Sequence, residues 1–202
     1  MLNEKRTGPI AALDGSVNPA RSDKQGNGVV TAGHGAYNEA VSRGKVFIAA
    51  NQAAVTTTVA LALTQTGICV SNPPGSDKLL SILKVGWAFS VAPAGSAPAF
   101  LAGGYAATGG VSAHTTPLTV YNAKLGAPAG AVGLADAAAT IVAPINILPL
   151  IGGFTNATLF AQPMAMTEIG GSVVVPPGAY VFLPTLTVAV GFGCIVWEEI
   201  PV

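Results

Sequence analysis

The sequence predicts an all-β domain, a sandwich or barrel, preceded by an extended N-terminal arm. Three observations carry this. Residues 1–45 hold ten of the eighteen charged side chains, so charge divides the chain in two. From Val46 onward, short apolar runs alternate with Gly and Pro turn signals at fairly even spacing, as in sandwiches and barrels. Helical periodicity is scarce: Ala131 to Thr140 is the one stretch that reads as a short helix, and its Ala and Gly content favours a loop almost as well.

The arm is assigned over residues 1–45. It lacks hydrophobic periodicity and contains Gly8-Pro9, Asp14-Gly15, Asn18-Pro19 and Gly26-Asn27-Gly28, all turn or loop signals. Alone it cannot bury enough apolar surface to offset its ordering entropy. It is expected to order only against another subunit. Ile10, Leu13, Val29 and Val30 are its candidate anchors, and Arg21, Lys24, Arg43 and Lys45 its candidate partners for acidic groups. An exposed ion pair contributes only about 0–1 kcal/mol. The anchors and main-chain pairing therefore dominate the docking.

The β domain is assigned over residues 46–202. Val55 to Leu63 alternates apolar residues with Thr and Ala, the period of a half-buried strand. Ile68 to Ser71 reads as the next strand, ended by Asn72-Pro73-Pro74-Gly75. Leu79, Leu83, Val85, Trp87, Phe89 and Val91 share one face of a long central strand, and Leu80 and Ile82 spoil its alternation. Trp87 and Phe89 are expected in the core. Shorter strands are expected at Ala99–Ala106, Leu118–Leu125, Ala139–Pro144 and Ile145–Leu150, the last two marked as irregular or edge strands by Pro144 and Pro149. Ser172–Val175, Tyr180–Leu183, Thr185–Val190 and Gly193–Glu199 complete the set. Pro176-Pro177-Gly178 between them sets two φ values before a residue free to take positive φ.

Composition narrows the function. Half of the 202 residues are hydrophobic and 9% are charged, against roughly 25% in an ordinary soluble domain. Nine basic residues balance nine acidic ones. A specific nucleic-acid partner is not expected, because phosphate affinity rests on a local excess of cations. Low charge favours an assembled state. The N-terminus has no apolar signal-like run. The uncharged stretch Val85–Ala123 is broken by Pro93, Pro98, Pro117 and several glycines, so a spanning helix is not expected, and neither is an outer-membrane barrel.

Catalytic, cofactor and metal sites are not expected. His34, between two glycines in the arm, reads as a solvated or interface histidine. His114 has no further metal-ligand residue within the flanking ten positions, where a metal site needs several. Neither a Gly-x-Ser-x-Gly elbow nor a Walker loop occurs. Glu198 and Glu199 are neighbours on a strand and point to opposite faces, so they read as a solvated strand end rather than a carboxylate pair. Asp77-Lys78 reads as a turn. Cys69 and Cys194 lie in apolar runs and read as buried thiols; a disulfide between them requires neighbouring strands.

Tyr37-Asn38-Glu39-Ala40-Val41-Ser42-Arg43-Gly44, Ala50-Asn51-Gln52-Ala53 and Gly67-Ile68-Cys69-Val70-Ser71-Asn72-Pro73 resemble structural proteins of tailed bacteriophages. So do Gly171 to Tyr180, with Val-Val-Val-Pro-Pro-Gly at its centre, and Val196-Trp197-Glu198-Glu199-Ile200-Pro201. The likeness runs from about residue 35 to the end. It implies a jelly-roll or related β-sandwich, often a homotrimer, in the virion. Members commonly serve as decoration (cement) proteins on the capsid exterior, bound to the lattice of the major capsid protein. Others serve as tail, adaptor or receptor-binding fibre proteins, and no catalytic residue carries over. A β-sandwich enzyme ranks last, since it needs a cluster of His and carboxylates.

Overall fold

The computed structural model describes residues 35–93, 95–151 and 165–202, and the chain divides between Glu39 and Ala40. The candidate arm residues Ile10, Leu13, Arg21, Lys24, Val29 and Val30, and His34, lie outside the described residues. A short helix, α1 (Asn38–Ser42), precedes twelve strands: β1 (Val46–Ala50), β2 (Val55–Thr56), β3 (Thr64–Ser71), β4 (Lys78–Phe89), β5 (Ala99–Tyr105), β6 (Val111–Leu118), β7 (Tyr121–Asn122), β8 (Leu134–Ile141), β9 (Ile145–Ile151), β10 (Ala165–Val175), β11 (Ala179–Phe182) and β12 (Val190–Pro201). Among the described residues no helix is long and apolar enough to cross a membrane.

The strands form two antiparallel sheets. One runs β10-β4-β12-β1-β7, with β2 paired to β12; the other runs β6-β8-β3-β11-β5-β9. Their pairings are nested. β1 pairs with β12 and β4 with β10 in the first sheet, while β3 pairs with β11 and β5 with β9 in the second. Early strands thus meet late ones, alternately in one sheet and the other.

The spoiled alternation of β4 has a physical cause. Val196 of β12 pairs with Lys84 and its neighbour Trp197 with Ile82, and β10 shifts register at the same place. Leu83 is therefore the extra residue of a β-bulge, which reverses the facing of the strand. Leu80 and Ile82 face the core before the bulge, Val85 and Trp87 after it. On β10 the shift is absorbed by Gly170 and Gly171, at φ of 59° and 81°, values that favour glycine.

The inter-sheet core joins those residues to Ile195 and Trp197 of β12, Ile68 and Val70 of β3, and Leu101 and Val181 of the opposite sheet. Phe89 is half-buried and packs against it. The Pro-Pro-Gly turn forms as expected: Gly178 takes φ of 84° and the Ala179 N–H donates to the Pro176 carbonyl at 3.0 Å.

Several expected elements are corrected. Ala131–Thr140 is not helical; most of it is strand β8, whose Ala135 and Ala139 are buried between neighbours. Small side chains permit that close packing, and pairing with β3 and β6 outweighs the helix propensity of alanine. The strand expected over Val55–Leu63 ends at Thr56. There the Thr57 hydroxyl takes a hydrogen bond from the Ala189 N–H at 3.0 Å, and that of Thr58 one from the Thr66 N–H at 3.1 Å. Thr185–Val190 is likewise not a strand until Val190. The Thr185 hydroxyl donates to the Thr187 carbonyl at 2.7 Å, a local bond that competes with a ladder, and that of Thr187 donates to the Ser96 carbonyl at 2.9 Å. Leu118–Leu125 holds only the last residue of β6 (Val111–Leu118) and the two residues of β7.

Candidate functional site: the outer faces of the two sheets

Alternation along a strand sends one set of side chains to the core and the other outward, so each sheet presents an outer face. In the β3/β11 sheet that face is already packed. Cys69, Ala102, Ala139, Ile141, Tyr180 and Phe182 form a second buried cluster, joined by Leu61 and Val111. Tyr180 anchors it, its hydroxyl donating to the Val142 carbonyl at 2.8 Å. A side chain at Gly104 would meet the Tyr180 hydroxyl at 2.7 Å, and one at Gly110 would collide with the ring. Burial, reinforced by the nearby Asp136, pushes the Cys69 thiol far up.

Beside this cluster lies the single buried acid–base pair of the described residues. His114 Nδ1 stands 2.7 Å from Asp136 Oδ2. Asp136 is wholly buried, and His114 is partly exposed. Burial raises the Asp136 carboxyl above its ordinary range, and the His114 hydrogen bond pulls the other way. A cavity of about 260 Å³ adjoins the pair, walled mainly by Pro117, Leu118, Val120, Leu134 and Ala135. The flanking-window reading of His114 missed Asp136 because the carboxylate arrives from β8, 22 positions away. Among the described residues no group of three His, Cys, Asp or Glu gathers to hold a metal. The pair joins β6 to β8 where their register is irregular.

Glu199 corrects a second expectation. It does face away from Glu198, but it is buried rather than solvated. It shares the inward parity of Ile195 and Trp197. Its Oε1 accepts from the Val132 N–H at 2.8 Å, the Gly133 N–H at 2.9 Å and the Trp197 indole at 3.4 Å. These bonds offset the cost of its burial and tie the β7–β8 loop to β12.

The β4/β12 sheet presents the contrasting outer face. Its register sets Met166, Gly86, Cys194 and Ala50 abreast across four strands. The next row is Glu168, Lys84, Val196, Ile48 and Tyr121. Beyond the bulge come Val174, Ser81 and Glu198, with Phe192 beside Ala88 at one end and Ile200 beside Leu79 at the other. Antiparallel sheets with one face in water normally alternate apolar and polar, whereas this outward set is mostly apolar. Phe192 is 40% exposed, Val174 46% and Met166 53%. Gly86 deepens the centre, since a side chain there would meet Cys194 Sγ at 2.8 Å and Met166 Cε at 3.2 Å. A cavity of about 170 Å³ opens over these residues, bordered by Phe192, Ala88 and Ala50.

Of the candidate arm contacts, Arg43 and Lys45 fall in the described residues. Both are exposed and flank Gly44, between α1 and β1. Cys69 and Cys194 are free and belong to different sheets; Cys69 is buried as expected, whereas Cys194 is only half-buried. No known protein family, curated protein or solved structure matches this chain significantly.

Proposed function

We propose that this chain is a non-enzymatic virion structural protein, a capsid decoration (cement) protein that binds and stabilises the lattice of the major capsid protein from the capsid exterior, as an oligomer, most simply a homotrimer. The observation that carries the reading is the nested pairing of β1 with β12, β3 with β11, β4 with β10 and β5 with β9. That nesting supports reading those eight strands as a jelly roll, an architecture used by viral capsid proteins, lectins and cupins. On this reading β6, β7 and β8 are an insertion between the fifth and ninth strands.

The occupants of the sandwich interior favour the structural member of that set. A cupin-type enzyme turns His and carboxylates into the interior; here Trp87, Trp197, Leu80, Ile82, Leu101 and Val181 fill it. The low charge of the body and the sequence likeness to tailed-phage structural proteins support the same assignment. The arm over residues 1–45 is the docking element, with Arg43 and Lys45 at its junction with the β domain. A tail, adaptor or receptor-binding fibre role is the alternative, with the same fold and oligomer.

The test is co-sedimentation of the purified chain with capsids that lack it, with copies per particle counted. Hundreds of bound copies and a raised temperature of capsid disruption are expected; a dozen or fewer indicate the tail. A chain lacking residues 1–40 should keep its β-type circular dichroism spectrum and lose binding. Equally tight binding by the truncated chain refutes the docking arm, and no binding by the full chain refutes the capsid assignment.

A further inference from the structure

We infer that the outer face of the β4/β12 sheet is the surface on which a second copy of this chain docks; the inference rests on the assembly reading above and names the surface that performs it. The two outer faces of the sandwich differ in one respect. That of the β3/β11 sheet carries its own buried cluster, built on Tyr180 and Phe182. That of the β4/β12 sheet leaves Met166, Val174, Phe192 and Ile200 between 40% and 53% exposed. β12, with Phe192, Cys194, Val196 and Ile200 outward and Ile195 and Trp197 inward, is thus largely apolar on both sides, the pattern of a strand buried on both faces.

Size and charge point to a second copy. Four strands spaced about 4.8 Å apart are about 19 Å wide. β4 and β12 have 12 residues each, which at about 3.3 Å per residue gives about 40 Å. β10 has 11 residues and β1 only 5, so the patch is on the order of 600 Å², the lower end of the area per partner of a standard stable interface. The face carries both signs of charge. Lys84 Nζ lies 3.5 Å from Glu168 Oε2, and Glu198, in the next row, forms no ion pair within the described residues. A second copy supplies a lysine for that carboxylate, whereas a strongly acidic or basic partner meets no complementary field. In a closed trimer this face meets a different surface of the neighbouring copy, and an apolar centre with charges of both signs at its edge accepts a surface as weakly charged as the rest of this chain. The cavity between Met166 and Phe192, about 170 Å³, receives an apolar side chain from the facing copy.

The experiment is light scattering of the full chain and four variants across micromolar concentrations. Phe192→Glu and Met166→Glu place a charge on the face. Leu125→Glu places one on a side chain 89% exposed in the β7–β8 loop. All three positions are exposed, so folding is checked by circular dichroism, with Phe192→Ser as a milder second variant. The wild type should have a mass that is a multiple of 20.0 kDa. The two face variants should self-associate at least tenfold more weakly, with Leu125→Glu unchanged. A single-chain mass for the wild type overturns the inference and leaves the capsid assignment to its own sedimentation test. So does an oligomer that both face variants leave intact, or one that Leu125→Glu disrupts equally.

Discussion

Glu199 offers the sharpest test of how the β domain is closed. Replacing it with leucine keeps the approximate volume and removes the acceptor shared by the Val132 and Gly133 N–H groups. A buried donor left without a partner costs about 1–3 kcal/mol. Gly133 is buried and Val132 half-buried, so water relieves part of one loss. Leucine also escapes the cost of burying a carboxylate, which offsets part of the rest. The net destabilisation expected for Glu199→Leu is about 2–3 kcal/mol. Glu199→Gln retains an acceptor oxygen and should lose only about 1 kcal/mol. The assay is urea unfolding at fixed protein concentration, followed by tryptophan fluorescence. With a slope near 2 kcal/mol per molar urea, the leucine variant should unfold about 1–1.5 M earlier than wild type. An unchanged midpoint refutes the tie between the β7–β8 loop and β12. Equal losses in both variants refute the assignment of the effect to the shared acceptor oxygen.

Two further outcomes follow from the packing and the charges. Trp87 is 1% exposed, and its indole lies close to Gly191 and Gly193; Trp87→Ala should cost about 3–5 kcal/mol, read from the same denaturation curve. Asp136 has a folded-state carboxyl raised above its ordinary value of 3.8, with burial the leading cause. The folded state therefore holds that proton more tightly than the unfolded state, so this contribution is complete below pH 3.8 and lost as pH rises through the raised folded value. Asp136→Asn should remove that part of the slope, and urea midpoints from pH 3 to 7 that shift in parallel for both proteins would contradict it.

How far the fold could be read from the residues varied with side-chain size. The long strand around Trp87 was legible because large apolar residues mark a buried face unambiguously. Its broken alternation at Leu80 and Ile82 recorded a bulge, which needs the partner strands β10 and β12 to be recognised. The stretch of alanines in β8 was illegible, because alanine suits a helix or a tightly packed strand and only its neighbours decide. The threonines at 57, 58, 185 and 187 gave the period of a strand but spend their hydroxyls on nearby backbone. Among candidate sites, the opposed facing of Glu198 and Glu199 was readable. The burial of Glu199 was not, although its parity with Trp197 was the available signal. The pairing of His114 with Asp136 depends on strand neighbours far apart in sequence and leaves no local trace.

The position of β12 has a consequence for biosynthesis. It is the last strand in chain order, yet it lies between β4 and β1 and also pairs with β2. Contacts between such distant segments slow folding, because a long loop must close before any pairing rewards it. While a ribosome is still making the chain, β1 and β4 have no strand between them, and the outer face that carries Phe192 and Cys194 does not yet exist. A growing polypeptide therefore cannot complete that face until β12 has been translated and has entered between β4 and β1.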